Sequence, residues 1–247
     1  MSYAIKKLNT IYNDKDLAWY ILSLLCNCTI GQLLFRSTIY IHNFDIILRR
    51  LERGISVHRL LGFRRFWKHD FHISPYTFEP RPETEKIIEY VKQFLQPKNI
   101  LDIGVGTGAI LLSLLYEFPN SKGTGVDISP YALITAKYNA EQNCINSTTF
   151  CNHIPVNKYF DLVVYNPPYV EKNVDKTTLY DPPVALFGNY KEYLKPVFDT
   201  NIIGKLVMEV PVNQIKDIVT YLKDNFVLEH ILCTSHSNIK IIVFQTK

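Results

Sequence analysis

The chain has 247 residues, 47% of them apolar, with 27 Lys or Arg against 23 Asp or Glu and a formal net charge of +4 at pH 7. That length holds one well-buried α/β domain plus a small accessory module. The composition and the near-zero mean hydropathy exclude the disordered and membrane classes, since Asn27, Cys28, Thr29 and Gln32 break the 17–35 stretch below the roughly 18 apolar residues that a spanning helix needs.

Asp14 and Asp16 precede the first apolar stretch and no small-residue cleavage pattern follows, so no secretory signal is expected and the chain is expected to stay inside a cell or organelle. Cys26, Cys28, Cys144, Cys151 and Cys233 are odd in number and lack paired metal spacing, which predicts reduced thiols and no metal. Residues 1–70 carry eleven basic against five acidic residues, a balance of +6, and 71–247 carry sixteen against eighteen, −2. Arg49, Arg50, Arg53, Arg59, Arg64, Arg65 and Lys68 read either as a surface for an acidic protein or RNA or as a solvated helix face.

Over 17–61 apolar residues recur at three- and four-residue spacing (Ile21, Leu24, Leu25; Ile46, Ile47, Leu51), which predicts a small helical module. Over 66–82 aromatic and β-branched residues lead to Pro75, Pro80 and Pro82, as in a short strand pair or a linker. The boundaries expected are a helical domain at 1–65, a linker with short strands at 66–84 and the main domain at 85–247. In that domain helices are expected at 85–95, 107–117, 129–143 and 213–225, and strands at 99–103, 122–127, 148–151, 160–165, 205–210, 227–233 and 239–245. Alternation of this kind gives a parallel sheet covered by helices. The last two strands, joined through His236, Ser237 and Asn238, run antiparallel. Ser129 followed by Pro130 marks a helix start.

Two constellations carry chemistry. The 99–103 strand runs into Gly104, Val105, Gly106, Thr107 and Gly108, where alternate glycines permit a sharp turn and close approach of a ligand, and the next helix offers free N–H groups. Asp127, at the end of the following strand, is placed to hold ribose hydroxyls. The loop alone fits a dinucleotide as well as S-adenosylmethionine. Asn166-Pro167-Pro168-Tyr169 after the 160–165 strand separates the two, because a nicotinamide enzyme has no need of it. A planar amide or amino nitrogen is a poor nucleophile and must be held in line with the methyl donor. The Asn166 side-chain oxygen and the Pro167 carbonyl can each accept one N–H, and Tyr169 can pack on the planar group. Both acceptors strengthen as the nitrogen becomes positive.

The glycine strand with Asp127, Asn166 to Tyr169, and above all Glu79-Pro80-Arg81-Pro82-Glu83-Thr84-Glu85 resemble the peptide-chain-release-factor glutamine methyltransferases of bacteria and organelles. The resemblance extends through Leu48-Arg49-Arg50, the 61–67 segment, Asp181-Pro182 and Ala185-Leu186-Phe187-Gly188, so it covers nearly the whole chain from about residue 40. It implies a seven-stranded, Rossmann-like S-adenosylmethionine-dependent methyltransferase fold of the α/β class, with a reversed last strand and a small N-terminal helical domain. It further implies N5-methylation of the glutamine in the Gly-Gly-Gln loop of a release factor. Gly104, Val105, Gly106, Thr107, Gly108, Asp127, Asn152, His153 and Asn166 would face the cofactor. Asn166, Pro167, Pro168 and Tyr169 would face the glutamine, with Arg81 and Pro82 on the wall above it, and Asn166, Pro167 and Tyr169 would act in catalysis. The basic N-terminal module would meet the release factor; no metal, membrane or nucleic-acid partner is implied.

The sequence departs from that pattern in four places. Cys151-Asn152-His153 stands where the family has an acidic residue near the adenine, Asn189 stands where it has a second glycine, the 171–180 segment is short, and Gly54-Ile55-Ser56-Val57 replaces an acid and a proline. A nucleic-acid amino-methyltransferase acting on adenine N6 or guanine N2, and a methyltransferase-fold binding partner without turnover, are the other readings the residues allow.

Overall fold

A computed structural model describes residues 1–170, 180–235 and 238–247. The 171–179 segment, and His236 and Ser237 between the last two strands expected, fall outside the described residues. The described chain forms two compact units that divide after Gly62.

The smaller unit has five helices, α1 (Ser2–Tyr12), α2 (Lys15–Leu25), α3 (Ile30–Leu34), α4 (Phe44–Glu52) and α5 (Val57–Leu61). α1 precedes the start expected near Leu17: Ala4 and Leu8 lie one turn apart on its buried side, a stripe that Lys6, Lys7, Asn9 and Thr10 dilute in the sequence. Asp14 caps α2 by accepting from the Leu17 N–H, and Thr29 and Gln32 close a reciprocal capping box at α3, which fixes both helix starts. Leu8, Ile21, Leu22, Leu33, Leu48 and Leu51 fill the core, while Arg49 and Arg50 on α4 and Arg53 at its C-cap are exposed.

The larger unit begins with a ribbon, β1 (Phe63–Phe66) paired antiparallel with β2 (His69–His72). Phe66 and Phe71 from this ribbon are buried in the unit's main core, so the 66–72 part of the expected linker is folded into the domain. The basic cluster divides here as well. Arg64 pairs with buried Glu79 and Lys68 with Glu117, and both belong to the larger unit.

A 3-10 turn (Pro82–Thr84) leads into α6 (Glu85–Phe94), followed by β3 (Asn99–Ile103), α7 (Ala109–Glu117), β4 (Lys122–Val126), α8 (Pro130–Gln142), β5 (Thr148–Cys151) and β6 (Tyr159–Tyr165). Three short helices come next, α9 (Pro183–Leu186), α10 (Tyr190–Tyr193) and α11 (Lys195–Phe198), then β7 (Asn201–Pro211), α12 (Ile215–Leu222), β8 (Phe226–Cys233) and β9 (Ile239–Thr246). α9 to α11 have four residues each, too few to repeat a helical period, and the sequence did not disclose them.

The seven strands lie in the order β5-β4-β3-β6-β7-β9-β8. β3 to β7 pair in parallel and β9 runs antiparallel to both β7 and β8. This is the α/β, Rossmann-like sheet with a reversed last strand that the alternation predicts. Strand side chains alternate between two cores. Ile100, Leu162, Val164 and Val207 pack under α6, α7 and α8; Leu101, Ile103, Val163, Leu206 and Met208 pack with Tyr193, Val197, Ile218 and Leu222 of α10, α11 and α12. From β3 the chain winds out to β4 and β5, then returns to β6 on the other side. The strand order therefore switches between β3 and β6, and a crevice opens at their carboxyl ends.

Candidate functional site

Four segments meet the carboxyl edge of the sheet, each carried there by its strand: 152–153 after β5, Asp127 after β4, 104–108 after β3, and 166–169 after β6. Every residue singled out after a strand thus falls along one edge. Arg81 and Pro82 come from the turn before α6.

The glycine loop is held by backbone. Gly104, Gly106 and Gly108 have φ of 69°, 53° and 83°, a left-handed region that side chains with a Cβ adopt at a cost. The N–H groups of Gly104 and Val105 both donate to the Val126 carbonyl at 2.8 and 2.9 Å. Gly108 caps α7, which therefore begins at Ala109, two residues past the start expected at Thr107, because the Gly108 φ lies outside the helical region. Asp127 Oδ2 accepts from the Gly106 N–H at 3.0 Å and Oδ1 from the Ser129 N–H at 2.9 Å. Each oxygen keeps a second lone pair for a hydroxyl. Burial pushes this carboxyl up, against the pull of those two N–H groups.

Asp102, at the end of β3, is buried. Its Oδ2 accepts from the Leu111 N–H at 3.2 Å, and its Oδ1 has no partner among the described residues. Ile128, next to Asp127, is an apolar side chain 77% exposed. Asn152 and His153 are exposed, with Asn152 Oδ1 2.8 Å from His153 Nδ1.

The other half of the site is a network of side chains. Thr84 donates to Glu209 Oε2 at 2.6 Å, and the Tyr169 hydroxyl donates to Glu209 Oε1 at 2.7 Å. Asn166 Nδ2 donates to Thr84 Oγ1 at 3.3 Å. The register that pairs Tyr165 with Met208 puts Glu209 beside Asn166 on the neighbouring strand. Gln214 Nε2 donates to the Tyr169 carbonyl at 3.3 Å, and Gln214 Oε1 accepts from the Tyr193 hydroxyl at 2.7 Å. Burial, and next the Glu209 carboxylate, drive the Tyr169 hydroxyl far above its usual range. Burial likewise raises the Glu209 carboxyl, opposed by the bonds from Thr84, Tyr169 and Asn166.

Tyr169 is thus tethered through its hydroxyl, a constraint that packing on a planar group alone would not supply. The 185–188 segment lies against the tetrapeptide: the Val170 N–H donates to the Leu186 carbonyl at 2.8 Å, and a Cβ on Gly188 would stand 2.4 Å from the Pro168 carbonyl oxygen. Arg81 donates to buried Asp181 Oδ2 at 2.9 Å, and the Glu79 N–H donates to Asp181 Oδ1 at 3.0 Å. Arg81 therefore braces the Arg-Pro-Glu-Thr-Glu segment against Asp181-Pro182, while Pro82 is exposed at the head of its turn.

Glu209 and Gln214 were not among the expected site residues. Glu209 did leave a signal, as a lone carboxylate in the apolar run Leu206-Val207-Met208-Glu209-Val210, since a charge in a central strand needs a partner. Among the described residues, no group of three or more His, Cys, Asp or Glu is placed to hold a metal ion, and no helix is long and apolar enough to cross a membrane.

A glycine cradle and a carboxylate on adjacent strands, beside the Asn166-Pro167-Pro168-Tyr169 tetrapeptide at the switch point, define the class: an S-adenosylmethionine-dependent methyltransferase fold. Residues 84–203 match the family described as Methyltransferase small domain. A ribosomal protein L11 methylase from Lactobacillus delbrueckii subsp. bulgaricus shares the fold with a TM-score of 0.53 at 17% identity, over 70% of this chain and 82% of that one.

By sequence the chain is similar to release factor glutamine methyltransferases. It is 38% identical over 138 residues to the Aliivibrio fischeri protein of that name, 53% of this chain and 49% of the relative. It is 36% identical over 191 residues to the Bradyrhizobium diazoefficiens protein of that name, 68% of this chain and 64% of the relative. The chain spans about half the length of the first of its curated relatives.

Proposed function

We propose that the chain methylates the side-chain amide nitrogen of the glutamine in the Gly-Gly-Gln loop of a peptide chain release factor, in the cytoplasm of a bacterium or the matrix of an organelle. The observation that carries this reading is the joining of Asn166 to Thr84. It binds the acceptor tetrapeptide to the Arg-Pro-Glu-Thr-Glu segment, the most specific of the motifs that point to this substrate.

The residues fit S-adenosylmethionine. Gly104, Val105, Gly106, Thr107 and Gly108 would hold its methionine part, Asp127 its ribose hydroxyls through the remaining lone pairs, and Asn152, His153 and the exposed Ile128 its adenine edge and face. Bound there, the cofactor supplies an electrophilic methyl group on sulfur. Asn166 Oδ1 and the Pro167 carbonyl take the two N–H bonds of the glutamine amide and aim its nitrogen. As the nitrogen gains a methyl group it becomes positive, and both acceptors bind that charge more tightly than the neutral amide. The extra proton leaves afterwards to water, so no strong base is needed. Arg81 and Pro82 shape the wall through Asp181, and the exposed α4 arginines offer a surface for the release factor.

Mass spectrometry of a release factor incubated with the full chain and S-adenosylmethionine, beside Asn166→Ala and parallel DNA and RNA substrates, tests the reading. One methyl group on the glutamine, lost in the variant, is the expected result. Methyl transfer to nucleic acid alone would overturn it in favour of an amino-methyltransferase of bases, and cofactor binding without any transfer would make the chain a non-catalytic partner.

A further inference from the structure

An amide side chain is nearly symmetric in shape and opposite in chemistry at its two ends. If Asn166 turned over, it would present N–H donors where the proposed substrate also carries donors, and the grip would fail. Asn166 sits at the mouth of the crevice, and its Pro167 neighbour fixes only the backbone. Something else has to choose between the two faces.

Glu209 is 2% exposed and meets hydroxyls on both of its oxygens, Thr84 on Oε2 and Tyr169 on Oε1. An ionised carboxylate only accepts. The single Thr84 hydroxyl proton therefore points at Glu209, and Thr84 Oγ1 is left able only to accept from its other side. The group that donates to it is Asn166 Nδ2. Polarity thus runs one way, from Asn166 N–H to Thr84 oxygen and from Thr84 O–H to Glu209, and the Asn166 amide also donates to the Glu209 carboxylate itself. Glu83 is the further charged group whose field raises Glu209; Arg81 and Glu83 are the charged groups, besides Glu209, that act on Tyr169.

We propose that Glu209 is the positioning residue that sets the sense of the site, holding Asn166 with Nδ2 inward and Oδ1 outward both directly and through the hydroxyl of Thr84. This rests on the reading that Asn166 Oδ1 receives a substrate N–H. The Glu209 carboxyl never touches substrate. Its charge is transmitted as a direction, and the 82-to-84 turn belongs to the chemistry because it supplies a relay hydroxyl beside the direct bond. A protonated Glu209, or a glutamine in its place, can donate to Thr84; the Thr84 proton is then free to turn to Asn166 Oδ1 and stabilise the wrong face.

The test uses the full chain as wild type, Glu209→Gln, Thr84→Ser and Thr84→Val, read by methyl transfer to a release factor and by NMR of the Asn166 side-chain amide, assigned by its disappearance in Asn166→Asp. Glu209→Gln is expected to lower kcat by about 10²-fold with the KM for S-adenosylmethionine little changed. Thr84→Val, which leaves the direct Asn166–Glu209 bond, should lower kcat less than Glu209→Gln, and Thr84→Ser, which restores the hydroxyl, should keep most of the activity. In the wild type kcat falls on the acid side as Glu209 takes up a proton, and that limb is absent from Glu209→Gln. The Asn166 amide signals follow the same titration in the wild type and are fixed with pH in the variant.

Wild-type turnover in Glu209→Gln, or Asn166 signals indifferent to pH in the wild type, would overturn the assignment. The wild-type titration needs no variant to fold and no substrate. If the release factor is not methylated but the Asn166 amide still reports Glu209, the substrate reading fails and the positioning assignment stands.

Discussion

The two halves of the site are built from different material. On the β3 and β4 side the cradle is backbone: three left-handed glycines and two N–H groups on Asp127, all within 26 residues of chain. On the β6 and β7 side the grip is made of side chains, with Thr84, Asn166, Tyr169 and Glu209 drawn from three separated segments. A backbone cradle tolerates many side chains and few conformations. A side-chain grip tolerates small backbone changes and almost no change of donor or acceptor. Substitutions on the two sides should therefore fail in different ways.

The largest effect is expected at Asn166. Asn166→Ala removes one of two acceptors of developing charge and should lower kcat by roughly 10²- to 10³-fold, while a calorimetric titration with S-adenosylmethionine stays near the wild-type affinity. Loss of cofactor affinity in proportion to kcat would break the division between the halves.

Gly188→Ala comes next and probes the grip through its support. The new Cβ would meet a main-chain oxygen, that of Pro168, at 2.4 Å, and a main chain cannot swing aside as a side chain can. Urea denaturation should show a loss of about 1–3 kcal/mol, with kcat falling more than cofactor affinity because the displaced segment is the tetrapeptide. Gly108→Ala is the counterpart on the cradle side. With φ of 83° and Leu112 Cδ1 3.0 Å from the added Cβ, about 1–2 kcal/mol of stability should be lost. Here the affinity for S-adenosylmethionine falls and kcat at saturating cofactor is kept.

This difference in material also governs what could be read in advance. Strand-to-helix turns with glycine are local, so 104–108 and Asp127 declared themselves by spacing, as did Asn166 to Tyr169 after an apolar strand. The parallel sheet and its reversed end followed from alternation and from one short connection. Glu209 could not be placed, because its meaning depends on β7 lying beside β6 in a register that puts it next to Asn166, and neither neighbour is near it in sequence. Thr84 was legible as part of a motif but not as a relay, since the bond that makes it one spans 125 positions. The short α9 to α11 helices and the burial of the ribbon's Phe66 and Phe71 were hidden for the same reason: tertiary packing decides them, and periodicity over four residues carries no signal.

The smallest expected effect sharpens the comparison from the cradle side. Asp102 is a buried carboxyl with one oxygen on the Leu111 N–H and the other without a partner among the described residues. Burial holds it well above the usual carboxylate range, the Leu111 N–H opposes this, and Asp127 adds to the rise. A folded-state value above the unfolded one means that the group's stabilising contribution is full below the unfolded value and is lost as pH rises through the folded one. Asp102→Asn cannot titrate, but it buries an N–H pair or a carbonyl with one partner too few. The variant should therefore match or fall below the wild type in urea denaturation near pH 4, then gain on it steadily as pH rises toward 8. A difference independent of pH would mean that Asp102 is ionised in both states and that the free Oδ1 is solvated. Growth of the difference with pH would leave the cradle holding a lone pair in reserve, which a donor on the bound cofactor would satisfy, so that added S-adenosylmethionine would stabilise the wild type more than the variant.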